Sequence, residues 1–423
     1  MKLIIWGIYL IVFCLPLYLV RFAILKIPTT ALELLIYALF VLWLIKGFKF
    51  KDFKSLFVNH YSLFVAILLI LIGVGVATFY SWNLRTSSGI LKAWFIDPLL
   101  FFIVIVSVIK NDEQIKKIFY SLIFSGSFVS VISLVYLFQG KLDASGRLQG
   151  IYNSPNYLAM YLVPILILNL GLVIWAKDYL PKRPLIARAG MVSDQNIGGA
   201  RERKSAATRR GADACLWVNN LLLMAVLVST KSLGAFLGLI FAIIFAAGLY
   251  LYKKRKIRLI WTIIGLGLII LLIFVYFKLS SIQGRLSFNS RLEIWQTGWE
   301  VFKMYPITGI GPGTFSDYFP VYPDWGVPQP HNIYLAFLIQ TGIFGFIGFF
   351  CLLIWFFKTG FKLVIGHWDL VIIIMSLMIY ILGHGLIDTT YWKNDLSIFF
   401  WLVIGLMAVL KNDQCPNPND QLP

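Results

Sequence analysis

Apolar residues fill this chain in long blocks, and short turns between them carry most of the charge. A helix needs about 20 apolar residues to cross a bilayer core. Twelve blocks meet or approach that length, at 3–20, 28–46, 61–80, 94–110, 115–138, 156–176, 216–230, 232–252, 258–277, 333–357, 368–388 and 395–411. Strands of about ten residues with strict alternation, the mark of a membrane barrel, are absent from the pattern. The expectation is an all-α, polytopic integral membrane protein of about 12 transmembrane helices, with residues 1–423 forming a single membrane domain. The first block is too long for a cleaved leader and no small-residue cleavage site follows it, so it reads as an uncleaved helix.

Composition agrees with the pattern. Hydrophobic residues make up 59% of the chain and charged residues 13%, with mean hydropathy +0.82, which excludes a soluble domain. With the N-terminus inside, 25 of the Lys and Arg residues fall on the inner side and 12 on the outer. That asymmetry predicts both termini inside. The net charge of +18 is therefore a topology signal, and no basic cluster belongs to a soluble fold that would present it to nucleic acid. Cys14, Cys215, Cys351 and Cys415 are too scattered to imply a disulfide or zinc spacing.

Two segments break the apolar pattern. Residues 177–215, on the inner side, are rich in Ala, Arg and Gly. They read as a basic loop gripping anionic lipid, as a solvated loop, or as a local change of reading frame. The second segment, 278–332, is the one long extracytoplasmic loop, and its aromatic content argues against disorder. Within it "SRLEIWQTGWEVFKMYP" predicts an amphipathic helix, capped by Ser290, striped by Leu292, Trp295, Trp299 and Phe302, and stopped by Pro306. Trp at that spacing suits a helix lying at the membrane–water interface, like a lid.

The candidate chemistry gathers on this side. "GIGPG" lacks the Lys-Ser/Thr ending of a phosphate loop and reads as a φ-positive turn allowing close backbone packing. "PQPHNIYL" sets His331 at the mouth of a helix, where unpaired N–H groups attract anions, with Asn332 as cap or holder of the imidazole. A lone His is commonly a capping or packing residue. Cations nearby in the pattern strengthen the other reading: Arg291 and Arg285 at the loop helix, Arg147 in "ASGRLQGIYNSPNYLAMYL", and Lys231 at a helix end. Together they suit an anionic lipid headgroup, since a diphosphate takes paired, charge-assisted bonds from Arg. No Asp-x-Asp or paired acidic set points to bound Mg²⁺, so neither metal nor cofactor is expected.

Taken together, "SRLEIWQTGWEVFKMYPITGIGPGTF…PQPHNIYLAFLIQTGIFGF" and "GIYNSPNYLAMYL" resemble the O-antigen ligase and O-antigen polymerase family of bacterial membrane glycosyltransferases. The resemblance implies a glycan donor on undecaprenyl diphosphate at the outer face of the inner membrane. It implies transfer to a hydroxyl of a lipid, glycan or protein acceptor, with inversion, in cell-envelope polysaccharide biosynthesis. It assigns Arg291 to the diphosphate and His331 to the acceptor hydroxyl. Arg147, Lys231, Arg285, Asn332, Asn153, Asn156 and Trp295 are the expected substrate-binding residues. One departure stands out: "STKSLGAFLGL" puts Leu233 where the family commonly has an arginine. The rival reading is a lipid-linked glycan transporter or flippase. Such proteins tend to show internal repeats and mid-membrane ionisable residues, and this chain shows neither repeat nor such placement.

Overall fold

The computed structural model describes residues 1–50, 56, 58–175, 214–255, 259, 267, 288–318, 329–364 and 368–413. Most of these residues are helical. The helices are α1 (Lys2–Phe13), α2 (Ala31–Lys46), α3 (Tyr61–Phe79), α4 (Leu84–Val108), α5 (Asp112–Phe138), α6 (Pro155–Trp175) and α7 (Ala214–Thr230). They continue with α8 (Leu233–Lys253), α9 (Phe288–Met304), α10 (Ile333–Leu363), α11 (Trp368–His384) and α12 (Asn394–Asp413). Among the described residues seven helices, α3, α4, α5, α6, α8, α10 and α12, are long and apolar enough to cross a membrane by themselves. The predicted span at 258–277 and the basic segment at 177–215 lie almost wholly outside the described residues.

Three boundaries differ from the sequence reading. The first block is a 12-residue helix followed by a 3₁₀ turn, Leu15–Leu19, rather than one span over 3–20. Pro16 explains the break: it has no N–H to donate, and its ring would meet the carbonyl one turn back. The chain then forms a hairpin, β1 (Arg21–Ile24) with β2 (Ile27–Thr30), closed by Leu25 and Lys26 at φ 48° and 68°. Positive φ at both central residues matches the strand twist of a tight hairpin. Finally, the fourth span begins ten residues earlier than predicted, at Leu84, and passes through a π-helical turn at Leu91–Ile96.

One contiguous apolar core runs from Ile4 to Leu410. Its closest helix pair is α3 with α10, where small residues let the backbones meet. A methyl group at Gly348 would lie 2.6 Å from the Ile70 nitrogen, and one at Gly73 would lie 2.5 Å from the Gly345 Cα. Without water between helices, such close packing is a principal source of association.

The loop helix α9 starts at Phe288, so Ser290 lies within it rather than capping it. Its buried stripe is Ile294, Gly298 and Val301, flanked by Trp295 and Phe302. Leu292 and Trp299, expected in the stripe, are 39% and 49% exposed. The reason is Gly298: with no side chain, it lets α9 settle on Leu335 and Ile339 of α10, which rotates the helix about one residue from the aromatic line.

Candidate active site at the loop end of the bundle

The site is built where α10 begins, and α10 is not continuous. Gly342 has φ 63° and ψ −173°, a conformation open essentially to glycine alone, and it separates residues 333–341 from the rest of the helix. The turn "PITGIG" fills the break. Ile343 N–H donates to the Pro306 carbonyl at 3.0 Å, and Ile310 N–H donates to the Ile339 carbonyl at 3.0 Å. Backbone meets backbone here, so a Cβ at Gly309 (φ 66°) would sit 2.6 Å from Gly342 N. Gly313 N–H then donates to the buried side chain of Gln340 at 2.7 Å, and Gln340 donates to Gln329 at 2.7 Å. The glycine turn thus holds its own chain and leaves His331 at a fixed height.

His331 has φ 48°, unusual for a residue with a side chain. Strain of this kind persists only where neighbours over-determine it, and they do. Trp295 donates its indole N–H to the Pro330 carbonyl at 3.0 Å. Asn332 caps α10, accepting from Leu335 N–H at 2.9 Å, and donates its amide to the Leu386 carbonyl at 3.0 Å. Ile333 N–H donates to the Gly385 carbonyl at 2.8 Å. Two of the first helical amides are therefore occupied, so the start of α10 is not the open anion site the sequence led one to expect. Asn332 holds the helix, and the imidazole is held by a different residue.

That residue is Asp388, in the turn between α11 and α12. His331 Nδ1 lies 3.1 Å from Asp388 Oδ1. The other carboxylate oxygen accepts from the Asn156 amide at 2.9 Å, and Asn156 Oδ1 accepts from Arg147 Nη2 at 2.6 Å. Arg147 Nε donates to the Thr230 carbonyl at 2.9 Å. The loops after α5, α9 and α11 thus meet the end of α7 and the start of α6 in one line of hydrogen bonds. Burial by itself would raise the Asp388 pKa. The His331 hydrogen bond and the charges of His331, His384 and Arg291 outweigh it and hold the carboxyl well below its usual range.

With Nδ1 on a carboxylate that stays ionised, that nitrogen carries a proton and donates it to Asp388, which leaves Nε2 as the free edge of the ring. Nε2 has no partner among the described residues, and the ring is about a fifth exposed. Arg291, on the first turns of α9, is close enough to act on both Asp388 and His384. Its guanidinium has no hydrogen-bond partner among the described residues, and its Nε is buried. A base next to an unpaired cationic fork is an arrangement for deprotonating a hydroxyl beside an anion.

The other expected residues divide. Lys231 is at the same end of the bundle, but its ammonium donates to the Gly146 carbonyl at 2.9 Å and faces outward. Asn153 is exposed and stands outside the hydrogen-bonded line. Arg285 lies outside the described residues. His384, the other histidine in this part of the sequence, is sealed: Tyr380 OH is 2.8 Å from its Nδ1, and Gly234 leaves it no room to move. It is therefore Gly234, the residue after Leu233, that packs against the imidazole. Among the described residues no group of three or more His, Cys, Asp and Glu side chains is placed to share a metal ion.

Asp388 is the residue that sequence reasoning passed over. Its one signal was a carboxylate in a stretch otherwise apolar or hydroxylic, "GLIDTTYW". A charge there must find a partner, and the sequence does not say which.

None of the curated proteins compared matches the chain. Residues 218–350, about a third of it, match the O-antigen ligase family. That stretch contains Arg291 and His331 with the broken helix and its glycine turn, while Arg147, Asn156 and Asp388 come from outside it. Over this segment the chain is similar to the O-antigen ligase family.

Proposed function

We propose that this protein is a membrane glycosyltransferase. In this reading it moves a glycan from undecaprenyl diphosphate to an acceptor hydroxyl at the outer face of the bacterial inner membrane. The observation that supports it most is the His331–Asp388 pair at 3.1 Å within the electrostatic reach of Arg291, whose guanidinium has no partner among the described residues.

His331 Nε2 takes the proton of the acceptor hydroxyl as its oxygen attacks the anomeric carbon of the donor. The bond from that carbon to the diphosphate oxygen breaks, and undecaprenyl diphosphate leaves with the electron pair. One displacement inverts the configuration. Asp388 stabilises the imidazolium formed in the step, as a buried carboxylate does behind a catalytic histidine. Arg291 offers two parallel N–H groups to the charge gathering on the leaving group. Asn156 and Arg147 hold Asp388 rather than touch substrate. The acceptor class, whether lipid, glycan or protein, is set by surfaces around Nε2.

Transfer from an undecaprenyl-diphosphate oligosaccharide, in membranes of a host without its own ligase, tests this. Wild type is expected to transfer without added nucleotide. His331→Ala and Arg291→Ala, present in equal amount, are expected to transfer at a small fraction of that rate. Wild type that moves the lipid-linked glycan between leaflets and glycosylates nothing would establish the transporter instead.

A further inference from the structure

A second cation stands close to this site. Asp388 is followed by a turn that side chains pin at several points: Thr389 N–H donates to Asp388 Oδ1 at 2.9 Å, and Thr390 Oγ1 to the Ile381 carbonyl at 2.7 Å. Tyr391 OH donates to the Trp94 carbonyl at 2.6 Å and accepts from Trp401 Nε1 at 3.2 Å. The turn therefore delivers Lys393, five residues on, as firmly as it delivers Asp388.

Lys393 is 9% exposed, yet its ammonium has no hydrogen-bond acceptor and no carboxylate within ion-pair distance among the described residues. Aromatic faces hold it instead. Its Nζ is 3.6 Å from the ring centre of Tyr157, 4.7 Å from that of Tyr152 and 4.9 Å from that of Tyr18. Tyr157 follows Asn156, which bonds Asp388, so the cage borders the His331 line. The hydroxyls of Tyr18 and Tyr152 are themselves buried without partners.

Ring faces attract a cation without using its N–H groups. An ammonium so held keeps all three donors for a ligand. We propose that Lys393 is a second phosphate contact of the lipid diphosphate donor, its tyrosine cage presenting the ammonium to the donor headgroup; this rests on the donor reading above. Burial pushes the Lys393 pKa down to about 8, against the opposing pull of Asp395, so the contact is lost in mildly alkaline solution. The titratable and charged groups around it are Tyr18, Arg21, Tyr152, Tyr157, Asp388 and Asp395. The rival role is simple balance of the buried Asp395 charge.

The test is binding by the full chain in lipid nanodiscs, with undecaprenyl diphosphate, undecaprenyl monophosphate, undecaprenol and inorganic diphosphate as separate probes. Wild type is expected to prefer the lipid diphosphate. Lys393→Met is expected to weaken that probe by about ten- to a hundredfold, the worth of a charged hydrogen bond, and to leave undecaprenol unchanged. Lys393→Arg is expected to keep most of the affinity. In wild type, affinity is expected to fall as pH rises from 7 to 9.5, a readout that survives even if Lys393→Met does not fold. Unchanged diphosphate affinity in Lys393→Met, or a flat pH profile, overturns the assignment. So does recovery of affinity in the Lys393→Met, Asp395→Asn double variant, which would assign the lysine to Asp395. Inorganic diphosphate binding as tightly as the lipid would overturn the lipid source. A wild type with no preference for diphosphate removes the donor reading itself, and the proposal with it.

Discussion

The Asn156 amide nitrogen stands 2.9 Å from Asp388 Oδ2, joining the first turn of α6 to the turn before α12 across 232 positions of sequence. Ser154 and Pro155 make that reach possible. Pro155 opens the helix without needing its missing N–H, and Ser154 Oγ accepts from Asn156 N–H at 3.3 Å. Asn156 thus belongs to the rigid start of a helix and fixes one carboxylate oxygen while His331 uses the other.

Asp388→Asn keeps the shape of this line and removes its charge. The amide can present N–H to Nδ1 and turn the imidazole to the wrong tautomer, the failure seen when a triad carboxylate is neutralised. Transfer is expected to fall by about a thousandfold or more. Asn156→Ala should cost only about tenfold, since it loosens the carboxylate without discharging it. Initial rates in membranes with matched protein levels check both.

The same carboxylate predicts an acid limb in stability. Asp388 stays ionised in the folded protein at pH values where an unfolded aspartate, with a pKa near ~3.9, has begun to protonate. Its stabilisation is therefore complete above that value and is lost as pH falls toward the depressed folded one. Thermal unfolding in detergent from pH 6 to pH 3 should show wild type losing stability below about pH 4 more steeply than Asp388→Asn.

Gly309→Ala and Gly75→Ala separate two kinds of glycine. At Gly309 φ is positive and a Cβ would meet Gly342 N and the Ile339 carbonyl, whereas at Gly75 nothing lies within 4 Å. The first change is expected to cost about 2 kcal/mol or more through αL strain and the forced backbone shift. Gly75→Ala should be neutral or stabilise slightly, by up to about 1 kcal/mol. Yield of folded protein and its melting temperature distinguish them.

A buried ion pair supplies a further check. Lys92 is 2.6 Å from Glu33, whose other oxygen accepts from Asn394 at 3.0 Å. Lys92→Met leaves that carboxylate buried with only its amide partner and is expected to destabilise by about 2 kcal/mol, less than a fully buried pair because the lysine is partly wet. Adding Glu33→Gln should recover most of the loss. A melting-temperature cycle over the four proteins gives the coupling directly.

Hydropathy made the helical blocks legible, because lipid demands a length and the chain supplies it. Local chemistry that overrides hydropathy was harder to see in advance: Pro16 ends α1 inside an apolar run, and Gly298 turns α9 away from its aromatic stripe. His331 and Arg291 stood out in the sequence as polar types in an apolar chain, and both act on Asp388 in the fold. Asp388 was not, because its meaning comes from a pairing 57 residues away that only the meeting of α10 and α11 creates. Trp295 was read as a surface for substrate, and nothing in the sequence showed that its indole N–H would donate to the Pro330 carbonyl.

The break at Gly342 also bears on how the protein is made. An inserting chain presents residues 333–357 as one apolar span, but in the finished fold the carbonyl of Ile339 and the N–H of Ile343 are served by the turn after α9. Exposed to hydrocarbon, each such group would cost several kcal/mol. The span is therefore expected to enter the bilayer unbroken and to open only when the preceding loop has docked against it. His331 would take its strained pose in that late step, so a nascent protein lacking the glycine turn would be inserted and still inactive.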